Sequence, residues 1–454
     1  MDCLVLILCL YLLWGLFQAL SLVANRGQRA RPSNLPPGPR PLPIIGNLLE
    51  LGDLPHRSLA KLARTYGPII KLELGFVTTV VVSSPMLAKE ILQTHDAVFS
   101  NRTVPNSITA HDHDKLGLPW LPVSPLFRNL KKVYNLHIFS SKKLDLNQHL
   151  RSKKVQELVA FVRKCADAGE AVNIGEAAFR TSLNAIDPHG SKRHLEALIQ
   201  KLFDFFDGVI QRRLQLRTEK GCVRCNDVLD YLLDLIEDKN ETLDISLVKH
   251  LFLDTITGGS ETTSSTLEWA MTELLRNPEK LSRTQAELHQ VIGKGKTIEE
   301  VDISRLPYLE AVLKETFRLH PIAPLLLPRK SGEDFPIGGF TIPKGAQVYI
   351  NVFAIGRDPS TWDDPDKFVP DRFLGSDIDF RGQNLELVPF GGGRRICPGL
   401  PLAARMLRLM LGSLINIFNW KLEDGVIPEN MNMEEKFGLA VQKAQSLKAV
   451  PIPI

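Results

Sequence analysis

The run Phe390-Gly391-Gly392-Gly393-Arg394-Arg395-Ile396-Cys397-Pro398-Gly399 sets one thiol inside a glycine-rich loop that opens into a helix. Three consecutive glycines admit backbone conformations that side chains forbid, and they let main-chain N–H groups approach whatever the sulfur binds. The apolar positions that follow, Leu402, Ala403, Met406, Leu407, Leu409, Met410 and Leu414, predict a helix with Cys397 just ahead of its first turn. A helix start favours negative charge, so the thiolate form of Cys397 is expected to be stabilised there, with Arg394 and Arg395 helping. A thiolate so held is either a nucleophile or a metal ligand. The nucleophile needs a His or Asn partner, and nothing in the sequence nominates one. The remainder of the chain reads as a housing for that sulfur.

Composition limits what the housing can be. With 454 residues and 44% hydrophobic content, the chain can bury a large core. A formal charge of +4 is too mild to argue for nucleic acid. The six cysteines are scattered, two of them (Cys3, Cys9) in an apolar leader, which suits a reducing compartment better than a disulfide framework. The stretch from Cys3 to Ala24 is uncharged, and Arg26, Arg29 and Arg31 follow it. At ~1.5 Å per residue it reaches ~33 Å, enough for a hydrocarbon core of ~30 Å. A cleaved signal peptide fits less well, because the apolar run is long and its basic flank comes after it. The expected organisation is a transmembrane anchor over 1–25, a basic and proline-rich linker over 26–46, and a globular domain over 47–454 that stays cytosolic.

Within that domain, Ile69 to Gly75 and Thr78 to Val82 are β-branched runs around a short turn and predict a hairpin. Pro85 to His95 predicts a short helix. His111, Asp112, His113 and Asp114 are close in sequence, yet no regular spacing aims them at one point, so a solvated loop is expected rather than a metal site. Leu195, Leu198, Ile199, Leu202, Phe203, Phe206, Val209 and Ile210 recur at helical spacing, and Asn226-Asp227 introduces a further helix. Cys222-Val223-Arg224-Cys225 lacks a second pair and is read as a chance pair. No proline interrupts Asp244 to Arg276, which predicts a single helix of ~50 Å. Its middle, Gly258-Gly259-Ser260-Glu261-Thr262-Thr263, carries two glycines that each cost about 1 kcal/mol against alanine. Such a site needs a packing or functional reason. A kink would explain the glycines but not the neighbouring acid and alcohol, which can relay protons.

The spacing Phe-x-x-Gly-x-Arg-x-Cys-x-Gly, met at Phe390, Gly393, Arg395, Cys397 and Gly399, resembles the haem-binding loop of the cytochrome P-450 monooxygenases. The Gly-Gly-x-Glu-Thr segment from Gly258 to Thr262 is similar to the family's oxygen-activating segment. Glu315 and Arg318, with Arg372 in Phe368-Val369-Pro370-Asp371-Arg372-Phe373, match its buried Glu-Arg-Arg cluster. The likeness is strongest to a plant microsomal group of geraniol 8-hydroxylases, along Leu35–Glu50, Arg305–Pro321 and Leu411–Leu439. It implies a mainly α fold with a small β region and an N-terminal transmembrane helix. It implies haem b, with Cys397 as the iron ligand and Arg395, Arg329 and Lys131 on the propionates. Phe390, Gly391, Gly393, Gly399 and Gly259 would lie against the haem, and Glu261 and Thr262 would be the catalytic pair.

The resemblance further implies residence in the endoplasmic reticulum membrane as a single-pass protein and electrons from NADPH through the cytochrome P-450 reductase. Arg128, Lys131, Lys132, Arg405 and Arg408 would form the basic face for that partner. The substrate would be a small hydrophobic molecule, such as the monoterpene alcohol geraniol, or else a flat phenolic or flavonoid. Two departures stand out. Phe127 and Lys131 occupy places where relatives carry Trp and Arg, which removes an indole N–H and a planar fork from the propionate site. Between Thr181 and Pro188, near 184–188, sequence that would form part of the helical core and the pocket roof is absent. That gap leaves open a non-catalytic or unstable deletion variant, from splicing or a gene model. A haem-thiolate isomerase or dehydratase is the other rival, and Glu261-Thr262 argues against it.

Overall fold

β-branched residues facing one another across a tight turn make Ile69–Leu74 (β1) and Val77–Val82 (β2) an antiparallel hairpin, with Ile69 opposite Val82 and Leu74 opposite Val77. A computed structural model describes residues 34–182, 192–219, 227–238 and 243–454 apart from Leu439, with residues 11, 14, 15 and 18 of the leader. Apart from those four residues the expected anchor, with the first part of the expected linker, the junction at 184–188 and the Cys222/Cys225 pair, lies outside the described residues. The hairpin extends through β8 (Gln347–Ile350), which runs parallel to β2, to β5 (Arg329–Lys330) and β3 (Asn101–Arg102). A second sheet places β12 (Lys448–Pro453) between β4 (Val172–Asn173) and β9 (Phe418–Leu422). The pairs β6 (Phe335–Ile337) with β7 (Phe340–Ile342), and β10 (Glu435–Lys436) with β11 (Gln442–Lys443), form small ribbons.

Helices make up most of the remainder. The longer ones are α1 (Pro55–Tyr66), α2 (Pro125–Val133), α3 (Gln148–Ala168), α4 (Ile174–Ser182), α5 (Lys192–Thr218), α6 (Val228–Glu237), α7 (Ile245–Gly259), α8 (Glu261–Arg276), α9 (Pro278–Val291), α10 (Pro307–Leu319) and α11 (Leu400–Ile417). Their starts are legible locally. Ser124, Asp227 and Asp244 cap α2, α6 and α7 by accepting backbone N–H groups, and proline opens α1, α2, α9, α10 and α11.

The main core gathers α3, α4, α8, α10 and α11, with Leu267, Met271, Leu274, Val312, Met410 and Ile415 fully buried at its centre. A second cluster joins α2, α5, α6 and α7 through Leu130, Phe203, Phe206, Leu232 and Leu251. Among the described residues, α11 is the one helix long and apolar enough to cross a bilayer, but it lies 67% buried inside the protein as a core element. The single helix expected from Asp244 to Arg276 is two: α7 and α8 part at Ser260 (φ −83°, ψ −67°). The glycines weaken the helix, and hydroxyls compete for its carbonyls. Ser260 Oγ donates to Ile256 O at 2.7 Å and Thr262 Oγ1 to Gly258 O at 2.6 Å.

Behind the thiol loop, Glu315 takes Arg318 Nε at 2.6 Å and Nη2 at 2.8 Å, Arg372 Nε at 3.1 Å and the Val369 N–H at 2.7 Å. Glu315 and Arg318 have no exposed side-chain surface. Arg318 also donates to the carbonyls of Pro365 and Lys367, at 2.6 and 2.9 Å, and to that of Gly356. One carboxylate thus ties α10 to the segment that leads to the loop.

Candidate functional site

Cys397 sits at the end of a turn closed by its own N–H on Phe390 O at 3.0 Å and by Ile396 N–H on Gly393 O at 3.2 Å. Gly393 has φ +64°, and a Cβ there would stand 1.9 Å from Leu92 O, so only glycine fits. Phe390 packs edge-on against Phe317 of α10, ring centres 5.3 Å apart. The N–H groups of Gly399 and Leu400 at the start of α11 point at the sulfur. Cys397 as a residue is half-buried.

The electrostatics differ from the sequence expectation. Burial pushes the Cys397 thiol up, and the two N–H groups and Lys131 pull against it without reversing it. Neither expected arginine helps. Arg394 pairs with Asp96 at 2.9 Å. Arg395 turns to the carbonyls of Ser100 at 2.7 Å, Leu118 at 3.1 Å and Leu121, with its guanidinium 4.2 Å from the centre of the Phe127 ring. Phe127 is therefore a buried shelf under Arg395.

Arg395 belongs to a group of four cations. Arg329 donates to Gly392 O at 3.0 Å and Phe99 O at 3.4 Å. Arg102 reaches Pro119 O at 3.3 Å and Leu327 O. Lys131 reaches Arg394 O. Burial lowers Arg329 and Arg395 to about 10, with Arg329 adding to the effect on Arg395. Burial, then Arg395 and Arg329, bring Lys131 to about 8. Burial, then Arg329 and Arg395, hold Arg102 well below its usual range. Among the described residues none of the four is ion-paired, and the one carboxylate near them, Asp96, is taken by Arg394. Like charges drawn together beneath carbonyls alone are the complement of a dianion.

At the break between α7 and α8, Glu261 and Thr262 begin the second helix. Burial raises the Glu261 carboxyl, and its Oε1 accepts from the Gln442 side-chain amide. A Cβ on Gly258 or Gly259 would meet open space, so close packing is not what requires glycine there. The structure thus gathers Cys397, Arg395, Arg329, Lys131, Gly391, Gly393 and Phe390 around one loop, and places Gly259, Glu261 and Thr262 at a helix break.

Three sequence readings need correction. His113 is buried, with Nδ1 2.9 Å from His250 Nδ1 and Nε2 3.2 Å from Asp254 Oδ1, so only part of that loop is solvated. Arg405 pairs with Asp145 and Glu300, and Arg408 with Glu310, which leaves Arg128 and Lys132 exposed on the expected basic face. The long helix is broken, as described above. Sequence reasoning also missed Arg102 and Gln442, whose partners lie 225 and 181 residues away. No local pattern marks such pairs.

Comparison with known proteins gives this geometry its context. The cytochrome P-450 family profile matches residues 36–188 and 179–447. Geraniol 8-hydroxylase of Catharanthus roseus is 48% identical, covering 99% of each chain, and that of Swertia mussotii is 47% identical, covering 97% of each. Geranylhydroquinone 3''-hydroxylase of Arnebia euchroma is 45% identical over 93% of this chain and 94% of its own. The first alignment runs over 497 positions against 454 residues, so some of its positions face no residue here, and the two profile segments overlap at 179–188. Similarity of this extent, running through the thiol loop and the helices that carry it, means that the chain belongs to the cytochrome P-450 family of haem monooxygenases.

Proposed function

We propose that this protein hydroxylates a small hydrophobic terpenoid, with geraniol as the first substrate to test, using dioxygen and electrons from NADPH delivered by the cytochrome P-450 reductase. The observation that carries the site reading is the four-cation group, without ion pairs among the described residues, beside the Cys397 loop. Haem fits both features. Cys397 would ligate the iron, and Arg102, Lys131, Arg329 and Arg395 would hold the propionates. When bound, the haem supplies the reduction of dioxygen and the insertion of one oxygen atom into a C–H bond.

The chain's own groups do the rest. The Gly399 and Leu400 N–H groups stabilise negative charge on the sulfur. Burial opposes that charge, so the two N–H groups work against desolvation at the sulfur. Glu261, protonated more readily than an exposed carboxyl, delivers protons at the helix break, with Thr262 beside it. Gly258 and Gly259 leave open space beside that break. The apolar leader anchors the protein in the endoplasmic reticulum membrane with the catalytic domain in the cytosol. Arg128 and Lys132 remain for the reductase. The terpenoid substrate is supported by the names of the relatives.

A second reading is favoured by the overlap at 179–188 and the longer alignment: the chain lacks family sequence between Thr181 and Pro188 and is impaired in catalysis. One experiment separates the two. The chain is expressed, reduced and exposed to carbon monoxide. A strongly red-shifted Soret band followed by geraniol hydroxylation with reductase supports the first reading. An unshifted band, or no haem, supports the second.

A further inference from the structure

Gln442 reaches Glu261 from a hairpin that is itself braced on the fold. Its amide donates to Glu261 Oε1. The hairpin pairs Glu435 with Lys443 and Lys436 with Gln442. At one end Glu435 accepts from His56 at 2.9 Å and Arg57 at 2.7 Å. Near the turn, Val441 N–H meets Ile322 O at 2.8 Å. Next to Gln442, Lys443 Nζ donates to Asn432 O at 2.6 Å and lies 4.7 Å from the Trp269 ring centre. Trp269 is on α8, the helix that begins at Glu261, so the hairpin grips α8 at two levels.

We infer that Gln442 is a positioning residue: it fixes the Glu261 carboxyl beside the break at Ser260, engaging Oε1 so that the exchangeable proton is carried on Oε2. This rests on the reading of Glu261 as a proton donor. A neutral amide suits the task, because a carboxyl oxygen accepts its N–H whether the carboxyl is protonated or ionised. A guanidinium in that place would hold the group ionised. Gln442 comes from outside α8, so its contact ties the first turn of that helix to the β10–β11 hairpin.

The test uses the full chain. Amide hydrogen exchange across residues 256–264 reads the restraint directly, and hydrogen peroxide released per NADPH, with reductase and geraniol, reads the relay. Gln442→Leu is expected to speed exchange there and raise peroxide release by roughly 3- to 10-fold, the weight of one ordinary hydrogen bond. Gln442→Lys, which keeps an N–H donor, is expected to retain slow exchange. In a Glu261→Gln background, Gln442→Leu adds nothing further to peroxide release. Unchanged exchange in Gln442→Leu, or an equal rise in peroxide in the Glu261→Gln background, overturns the inference. Wild-type peroxide release from Glu261→Gln alone overturns the relay reading instead, while leaving the exchange result standing.

Discussion

Glu315→Gln removes one negative charge from the interior and almost no volume. The carboxylate it replaces has no exposed surface and receives four donors, three of them from the guanidiniums of Arg318 and Arg372. Glutamine turns one acceptor into a donor that faces Arg318, and it leaves the buried guanidinium of Arg318 and the half-buried one of Arg372 with only carbonyl acceptors. Removing one partner of a buried ion pair costs ~3–5 kcal/mol. Here a bidentate pair and a second cation share a single carboxylate, which places the loss in the upper part of that range. Against a total stability of ~5–15 kcal/mol this is a large fraction. Urea unfolding followed by far-UV circular dichroism reads it as a lower midpoint at unchanged slope. Adding Arg318→Met to Glu315→Gln is expected to recover part of the loss, since it removes a stranded charge. A loss below ~1 kcal/mol, the worth of an exposed pair, would refute the argument that this carboxylate is the tie between α10 and the thiol-loop approach.

Other outcomes follow from the same geometry. Cys397→Ser is expected to abolish the strongly red-shifted carbon monoxide band; retention of the band would mean that another residue ligates the iron. Burial raises the Glu435 carboxyl, but His56 and Arg57 outweigh it and bring the group from 4.5 to about 2. Its stabilisation is therefore complete above pH 4.5 and lost as pH falls through about 2, and Glu435→Gln should flatten the stability slope in that window. Burial, then His113, with His111 and Lys249 adding and Asp112 opposing, lowers His250 from 6.5 to about 4. Stability from the neutral ring is full above pH 6.5 and lost as pH falls through about 4, so His250→Asn should reduce the pH dependence of the urea midpoint there.

Much of the architecture is legible from neighbouring residues. The β1–β2 hairpin follows from β-branched runs around a turn, α11 from its apolar run after a Gly-Leu-Pro start, and α7 from Asp244 as its cap. The Gly258–Thr262 oddity is visible as well, but whether a helix bends or ends there depends on hydroxyl and carbonyl geometry, which propensity does not contain. Site residues with a regular spacing, such as Cys397 and Arg395, can be picked out. Arg102, His113 and Gln442 cannot, because their meaning comes from partners far along the chain.

By itself the sequence determined the thiol loop, the caps and turns, the periodic faces of the helices and the charge types available to the site, since each depends on a few adjacent residues. Only the tertiary structure decided which charges act. Burial reversed the expected ease of ionising Cys397, withdrew Arg405 and Arg408 into ion pairs, and drew Arg102, Lys131, Arg329 and Arg395 together without a counter-charge. Desolvation and long-range pairing are properties of the folded interior, and they set the sign of the electrostatics that local sequence leaves open.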